Sequence, residues 1–384
     1  MERRWWQVGT LLPMLMVVAL AADLASRFLP LDLVAFRVWE PALQIAPGAP
    51  GPFEPGKVVT KRRAYGDLTA IGNYRRLREY HDESFHVDRL GFRNACDVDH
   101  TVYAGIVTGD SFAVGHAEPE PATLSGRLSL LAGARFYNAG ASLLPGPPLP
   151  DVMASLAATL RIHRGLVVYE LLERGTRFPP LPQVDSPVAP YPPVPPDRSF
   201  GRWLQGVARR FAPTVESPLR VAGVRLVKWL ENDTLRPNAH ARAVAHRQLP
   251  NGDEMLFLPR DLAPLGAGEV PPLAAAWSSY LAWYAGKLRG QGLRFVVLLV
   301  PDKYTVYGPL TPNEAPKSEG GRLLAAIEDR LRSAGVPVVN VTALFRARAA
   351  EALSRHEYLY WRDDTHWNAR GIELAADAVW REVR

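Results

Sequence analysis

The chain has 384 residues, 47% hydrophobic and 22% charged, so it carries enough apolar material for a sizeable core and is not disordered as a whole. A single cysteine, Cys96, excludes an internal disulfide framework and a cysteine-rich zinc site. The formal charge, 45 − 39 = +6, is a modest excess that a solvated basic face explains, with an acidic partner or a membrane surface as the sharper alternative.

In chain order, Arg3 and Arg4 precede an apolar run from Trp5 to Ala22 broken only by Gln7 and Thr10. Its 18 residues are the short end of a membrane-spanning helix, and the basic pair puts the N-terminus in the cytoplasm and the rest outside. Residues 1–30 are therefore expected to be a single transmembrane anchor in an inner membrane. The "ALA" at 19–21 also reads as a signal-peptidase site, making a cleaved signal peptide the alternative. Residues 31–84 form a connector and N-terminal extension, with a Pro/Gly-rich stretch at 46–57.

A β/α rhythm begins at "TVYAGIVTGDSF" (101–112), a buried strand running into a turn. A helix at 122–132, a strand at 134–140, a helix at 150–163 and a strand at 165–172 follow. The alternation is then interrupted by an insertion at about 178–270. It holds nine prolines within 179–196 and two basic amphipathic stretches, "GRWLQGVARRFA" and "SPLRVAGVRLVKWLEND". Those stretches read as helices docked on the core with a solvated basic face, or as a contact with a membrane surface or an anionic glycan. The rhythm resumes with a helix at 272–290 and the strand "LRFVVLLV" (293–300). A helix at 318–334, a strand at 336–341, a helix around 342–355 and a last helix from Trp367 complete it. Apolar strands alternating with helices predict a parallel sheet covered on both faces, with the active site at the C-terminal strand ends.

The polar motifs fall at those ends. "TGDS" places Ser111 on a tight glycine turn entering a helix, with Asp110 or Ser111 as the plain N-cap alternative. A serine hydroxyl needs a neighbouring base, and that base needs a group to hold its tautomer. "DDTHW" offers His366 with Asp363 and Asp364 before it. At "VPDK", Lys303 ends an apolar strand and is expected to point into the cleft, unless it is a surface lysine paired with Asp302. Trp367 is a candidate for stacking on a sugar or for the core, and Arg93 and Asn94 for fixing the loop beneath the site. The other histidines show no metal-ligand spacing. There is neither a phosphate-binding glycine loop nor a dinucleotide fingerprint, so no metal, cofactor or nucleic acid is expected.

These blocks resemble the SGNH hydrolase superfamily: "GDSF" its first block, "YNAGAS" (137–142) its second, "YELLERGTR" (169–177) its third and "DDTHW" its last. "HVDRLGFRN" (86–94), "VPDKYTVYG" (300–308) and "DTHWNARG" narrow the likeness to the alginate O-acetyltransferase, AlgX/AlgJ-like, group. The resemblance implies an SGNH-hydrolase-like, flavodoxin-like α/β domain over 85–384 outside the insertion. It further implies Ser111 as nucleophile and His366 as base. Asp364 orients the base by the Asp-Thr-His-Trp pattern, or Asp363 does by the superfamily's Asp-x-x-His spacing. Asn138 and Gly140, with Asp110, would belong to the oxyanion region. Where the superfamily has Gly-x-Asn-Asp, this chain has "ELLER", and counting from Glu170 puts Arg174 at the oxyanion asparagine. The Asp-His pair follows the serine here, as in ordinary SGNH hydrolases, whereas in the alginate enzymes it precedes it. The implied activity is O-acyl transfer, of acetyl by analogy with the group, to an exported polysaccharide, with a multi-pass membrane acyltransferase as donor. An esterase using the same triad and a non-catalytic glycan-binding or assembly subunit are the alternatives.

Overall fold

The computed structural model describes residues 2–28, 42, 49–72, 74–96, 98–141, 149–192, 217–230, 244–263, 265–312 and 320–384. The first expected basic stretch (201–212) lies outside the described residues. In chain order the elements are α1 (Glu2–Ser26), β1 (Val58–Ala64), α2 (Asp67–Gly72), β2 (His81–His86), β3 (Tyr103–Thr108), α3 (Ser111–Val114) and α4 (Leu124–Ala132). Then come β4 (Arg135–Asn138), α5 (Pro150–Thr159), β5 (Leu166–Leu172), α6 (Glu173–Thr176), α7 (Pro218–Leu230), β6 (Ala245–Gln248) and β7 (Glu254–Phe257). The chain ends with α8 (Val270–Gly290), β8 (Arg294–Val300), α9 (Lys303–Tyr307), α10 (Arg322–Ser333), β9 (Val338–Asn340), α11 (Thr342–Ala352) and α12 (Ala369–Val383).

The five strands expected from the β/α rhythm form one parallel sheet in the order β4-β3-β5-β8-β9. The order reverses direction after β3 and β4, so β3 and β5 lie side by side at the centre. In open α/β sheets the crevice for a ligand forms at such a point, beyond the carboxyl ends of the strands. β8 shows why the sheet is buried on both faces. Phe295, Val297 and Leu299 join one core with α5, α8 and α10, while Val296, Leu298 and Val300 join a second with α3, α11 and α12. Period-two alternation thus feeds two apolar layers from a run that is hydrophobic throughout.

Two antiparallel pairs lie outside the rhythm, β1–β2 and β6–β7. Neither is a continuous apolar run, so the sequence did not announce them. The proline-rich stretch after α6 lies along α5. Ser186 N donates to Asp151 Oδ2 (2.6 Å), Ala189 N to Ser155 Oγ (3.2 Å) and Tyr191 N to Thr159 Oγ1 (2.8 Å). Three side chains spaced four apart on the helix thereby satisfy a backbone that prolines keep out of a sheet.

The expected N-terminal helix is α1, with α7 beside it and Ser217 Oγ donating to Asp23. Among the described residues no helix is long and apolar enough to cross a membrane. Side chains of α1 are described from Pro13 onward. The membrane-spanning part of the expectation is therefore not carried by the fold.

Candidate active site

The site is built at the end of β3. Gly109 turns the chain with φ +155°, and a Cβ there would lie 2.4 Å from Glu170 Oε2, so the turn is closed to other residues. Asp110 caps α3 by accepting from Phe112 N (2.8 Å), which leaves Ser111 as the first helical residue. Beneath the turn, Asp110 N donates to Glu170 Oε2 (3.1 Å). Burial, and then the charge of Asp110, push the Glu170 carboxyl well above the usual range, toward its neutral form.

His366 arrives from the loop between α11 and α12, tied by the bridge between Tyr360 and Trp367. Its Nε2 lies 2.7 Å from Ser111 Oγ and its Nδ1 2.6 Å from Asp364 Oδ1. Asp364 Oδ1 also accepts from His366 N (2.9 Å), and Oδ2 accepts from Asp67 N (2.7 Å). Burial alone would raise the Asp364 carboxyl. The His366 charge and these hydrogen bonds outweigh it and hold the group well below its ordinary value, ionised. With Nδ1 donating to that carboxylate, Nε2 is left to accept the serine proton.

Asp363 faces the other way. Its Oδ2 accepts from Gly66 N (2.8 Å), Glu79 N (2.9 Å) and Thr69 Oγ1 (3.3 Å), and its backbone oxygen from Leu68 N and Thr69 N. Burial, and then the neighbouring Asp364 charge, push its carboxyl up to about 7. Of the two adjacent aspartates, Asp364 is bonded to the histidine and Asp363 to the segment around α2.

Five other expected site residues lie elsewhere than in the cleft. Asn138 is buried with its amide donating to Ala113 O (3.1 Å) and Val114 O (3.3 Å), while its Oδ1 accepts from Gly140 N (3.0 Å). Both residues therefore brace α3 from below, and the Gly140 N–H is already used. Arg174 does not stand free as an oxyanion donor. Its guanidinium lies 3.6 Å from Asp261 and 3.7 Å from Asp302, over the ring of Phe112. In that low-dielectric setting two carboxylates draw the cation to themselves. Lys303, expected in the cleft, is 2% exposed. Its ammonium donates to the carbonyls of Trp361 (2.6 Å), Arg362 (2.9 Å) and Asp364 (3.0 Å). Trp367 is fully buried, with Nε1 donating to Phe112 O, so it packs under α3 and offers no ring face.

Arg93 and Asn94 do fix the loops below. The Arg93 guanidinium donates to the carbonyls of Ser84, Val114, Gly115 and Glu118, and Asn94 joins Asp88 to Asn138. Sequence reasoning missed three participants, Glu170, Asp67 and Trp361. The last is half-buried, stacked on His81 (4.9 Å between rings) and tied by Nε1 to Glu118 Oε1 (2.9 Å). Among the described residues, Asp67, Asp364 and His366 are the group whose ligand atoms could surround a metal ion, lying within 4.8 Å of one another. The hydrogen bonds of all three already run to each other and to Thr365 and Ser111.

The family model for the SGNH hydrolase-like domain of acetyltransferase AlgX matches residues 256–384. The match takes in Lys303, Asp363, Asp364, His366 and Trp367, and it stops short of Ser111. No curated protein matches the chain.

Proposed function

Proceeding from a C-terminal part that is SGNH hydrolase-like in the manner of acetyltransferase AlgX, we propose that the chain is an extracytoplasmic O-acyltransferase. It would pass an acyl group, acetyl by analogy, to a hydroxyl of an exported polysaccharide through an acyl-Ser111 intermediate. The relay Ser111 Oγ–His366 Nε2–Nδ1–Asp364 Oδ1, with links of 2.7 and 2.6 Å, carries this reading. In the first half, His366 Nε2 takes the serine proton as Oγ bonds to the acyl carbon, then returns it to the departing group. In the second, Nε2 takes a proton from a sugar hydroxyl whose oxygen attacks the acyl-serine, and Ser111 leaves with that proton. Asp364 stabilises the imidazolium in both halves. Trp361, half-buried, stacked on His81 and bonded to Glu118, is proposed as the ring that meets an acceptor sugar.

The test is intact mass after exposure to an activated acetyl ester. Wild type should gain one acetyl and Ser111→Ala none. A wild type that gains none sinks the reading and leaves a binding subunit. Slow decay of the adduct in water, hastened by added glycan, marks transfer, while rapid decay marks an esterase.

For localisation we propose that α1 anchors the chain in the inner membrane with the domain on the periplasmic side. Met14, Leu15, Met16, Val17, Val18 and Leu20 are all more than half exposed, an arrangement water does not favour, and Arg3 and Arg4 precede them. The full chain should stay in the membrane pellet through an alkaline carbonate wash. Release into the supernatant would refute the anchor. The acyl donor is proposed to be a multi-pass membrane acyltransferase, reached from that position.

A further inference from the structure

The hydroxyl of Thr365 stands 3.3 Å from His366 Nδ1, close enough to decide which ring nitrogen carries the proton. If that hydroxyl donated to Nδ1, the ring would hold its proton on Nε2 and could not accept from Ser111. The Asp364 carboxylate, 2.6 Å from Nδ1, opposes this, and a residue far away in sequence withdraws the competing proton. Asp67, at the start of α2, accepts from Thr365 Oγ1 (2.8 Å) at one oxygen and from Thr365 N (2.8 Å) at the other. The hydroxyl proton is thereby committed to Asp67, and Nδ1 meets only oxygen lone pairs, from Asp364 and from Thr365. In return Asp67 N donates to Asp364 Oδ2, so the two loops lock one another.

We infer that Asp67 is a positioning residue for the base: by holding the Thr365 hydroxyl as an acceptor toward His366 Nδ1, it selects the tautomer that can deprotonate Ser111. The inference rests on the acyl-serine reading for its consequence in rate, and on hydrogen-bond geometry alone for the tautomer. The strap that carries Asp67 is built for rigidity. Gly66 approaches Asp363 so closely that a Cβ would lie 2.1 Å from its carbonyl oxygen, and Glu79 accepts from Arg362 N (3.0 Å) and Nε (2.6 Å). The segment ahead of the sheet therefore completes the base.

Asp67→Asn is the discriminating change. The Thr365 N–H demands the amide oxygen, which turns the amide NH2 toward Thr365 Oγ1. The hydroxyl must then give its own proton elsewhere, and Nδ1 is the neighbouring acceptor. Full-length protein with 15N-labelled histidine, assigned with His366→Gln, reports the tautomer by long-range proton–nitrogen correlation. Wild type should show the proton on Nδ1 and Asp67→Asn a shift toward Nε2. Acylation by the activated ester should slow about 10- to 100-fold, the scale on which outer partners that orient a metal-bound histidine act. Adding Thr365→Val to Asp67→Asn removes the misdirected hydroxyl and should recover most of both signals, which a purely structural role would not allow.

Should Asp67→Asn fail to fold, Asp67→Ala strips the hydroxyl of its acceptor without adding an opposing donor and should shift the tautomer the same way. An unmoved tautomer, or a double variant no better than the single one, overturns the inference. A wild type that forms no adduct refutes the acyltransferase reading instead, and the tautomer spectrum still decides the role of Asp67.

Discussion

Asp364→Asn should slow acylation of Ser111 by about 10³- to 10⁴-fold, the scale on which buried triad carboxylates act. Asp363→Asn, one residue away, should leave the rate within about threefold of wild type. The difference follows from what each carboxylate meets. Asp364 faces donors on both oxygens, His366 N and Nδ1 at Oδ1 and Asp67 N at Oδ2. An amide has one oxygen to offer, so its NH2 must oppose either the histidine or the strap, and the charge that stabilises the imidazolium is lost in both cases. Asp363 concentrates its accepted bonds on Oδ2, while Oδ1 has no hydrogen-bond partner. An amide can keep its oxygen on the strap and place its NH2 on the vacant side. Single-turnover acylation of the two variants by the activated ester measures both effects, and a slow Asp363→Asn with a fast Asp364→Asn would exchange the assignments.

The same pair differs in its effect on stability. Folding raises the Asp363 carboxyl from 3.8 to about 7, so between those values the folded chain holds a proton that the unfolded chain has released. Its stabilising contribution is complete below about pH 4 and is lost as the pH rises through 7. Denaturant midpoints measured from pH 4 to 8 should fall less steeply in Asp363→Asn than in wild type.

How far the sequence reached depends on how local each signal is. β3, β5 and β8 are apolar runs ended by turn chemistry, so their existence and parallel arrangement follow from a few neighbouring residues. So does Ser111, because Gly109 and Asp110 shape its turn. The likeness of Asp-Thr-His-Trp to the alginate group favours Asp364 over Asp363, and in the fold that spacing lets one carboxylate reach both the ring and the backbone N–H of His366. Arg174 shows the limit. Counting along "ELLER" places it correctly at the end of β5, yet its partners Asp261 and Asp302 come from distant parts of the chain, and electrostatics decides where the guanidinium goes. Trp367 and Trp361 flank the same loop, and nothing in their spacing says which faces the core. Asp67 lies 298 residues from Thr365, on a stretch with no motif, and only the folded chain brings it to the base.

Lys303→Met should cut the acylation rate about 100-fold while leaving the protein folded, because the ammonium holds by three carbonyls the same loop that Asp67 holds at Asp364 and Thr365. Three carbonyls, of Trp361, Arg362 and Asp364, lose their common donor at once. Leaving buried acceptors unpaired is costly, but the buried charge is removed with them, so a net loss of about 2 kcal/mol in stability is expected. The loop then relaxes, and a displacement of the order of 1 Å between His366 and Ser111 is enough for the rate effect.

The pH dependence separates this role from mere packing. Burial lowers the Lys303 ammonium from 10.5 to about 8, against the opposing pull of Asp363 and Asp364. Above pH 8 the neutral amine has two protons for three carbonyls, so the loop loosens and acylation should decline. Stability moves the other way. Between 8 and 10.5 the unfolded chain binds the proton that the folded chain has lost, so stability rises with pH through that window. Wild type should therefore lose activity above pH 8 while its denaturant midpoint climbs, and Lys303→Met should show neither trend. An activity decline that persists in Lys303→Met, or one that tracks unfolding in wild type, would remove Lys303 from the control of the catalytic loop.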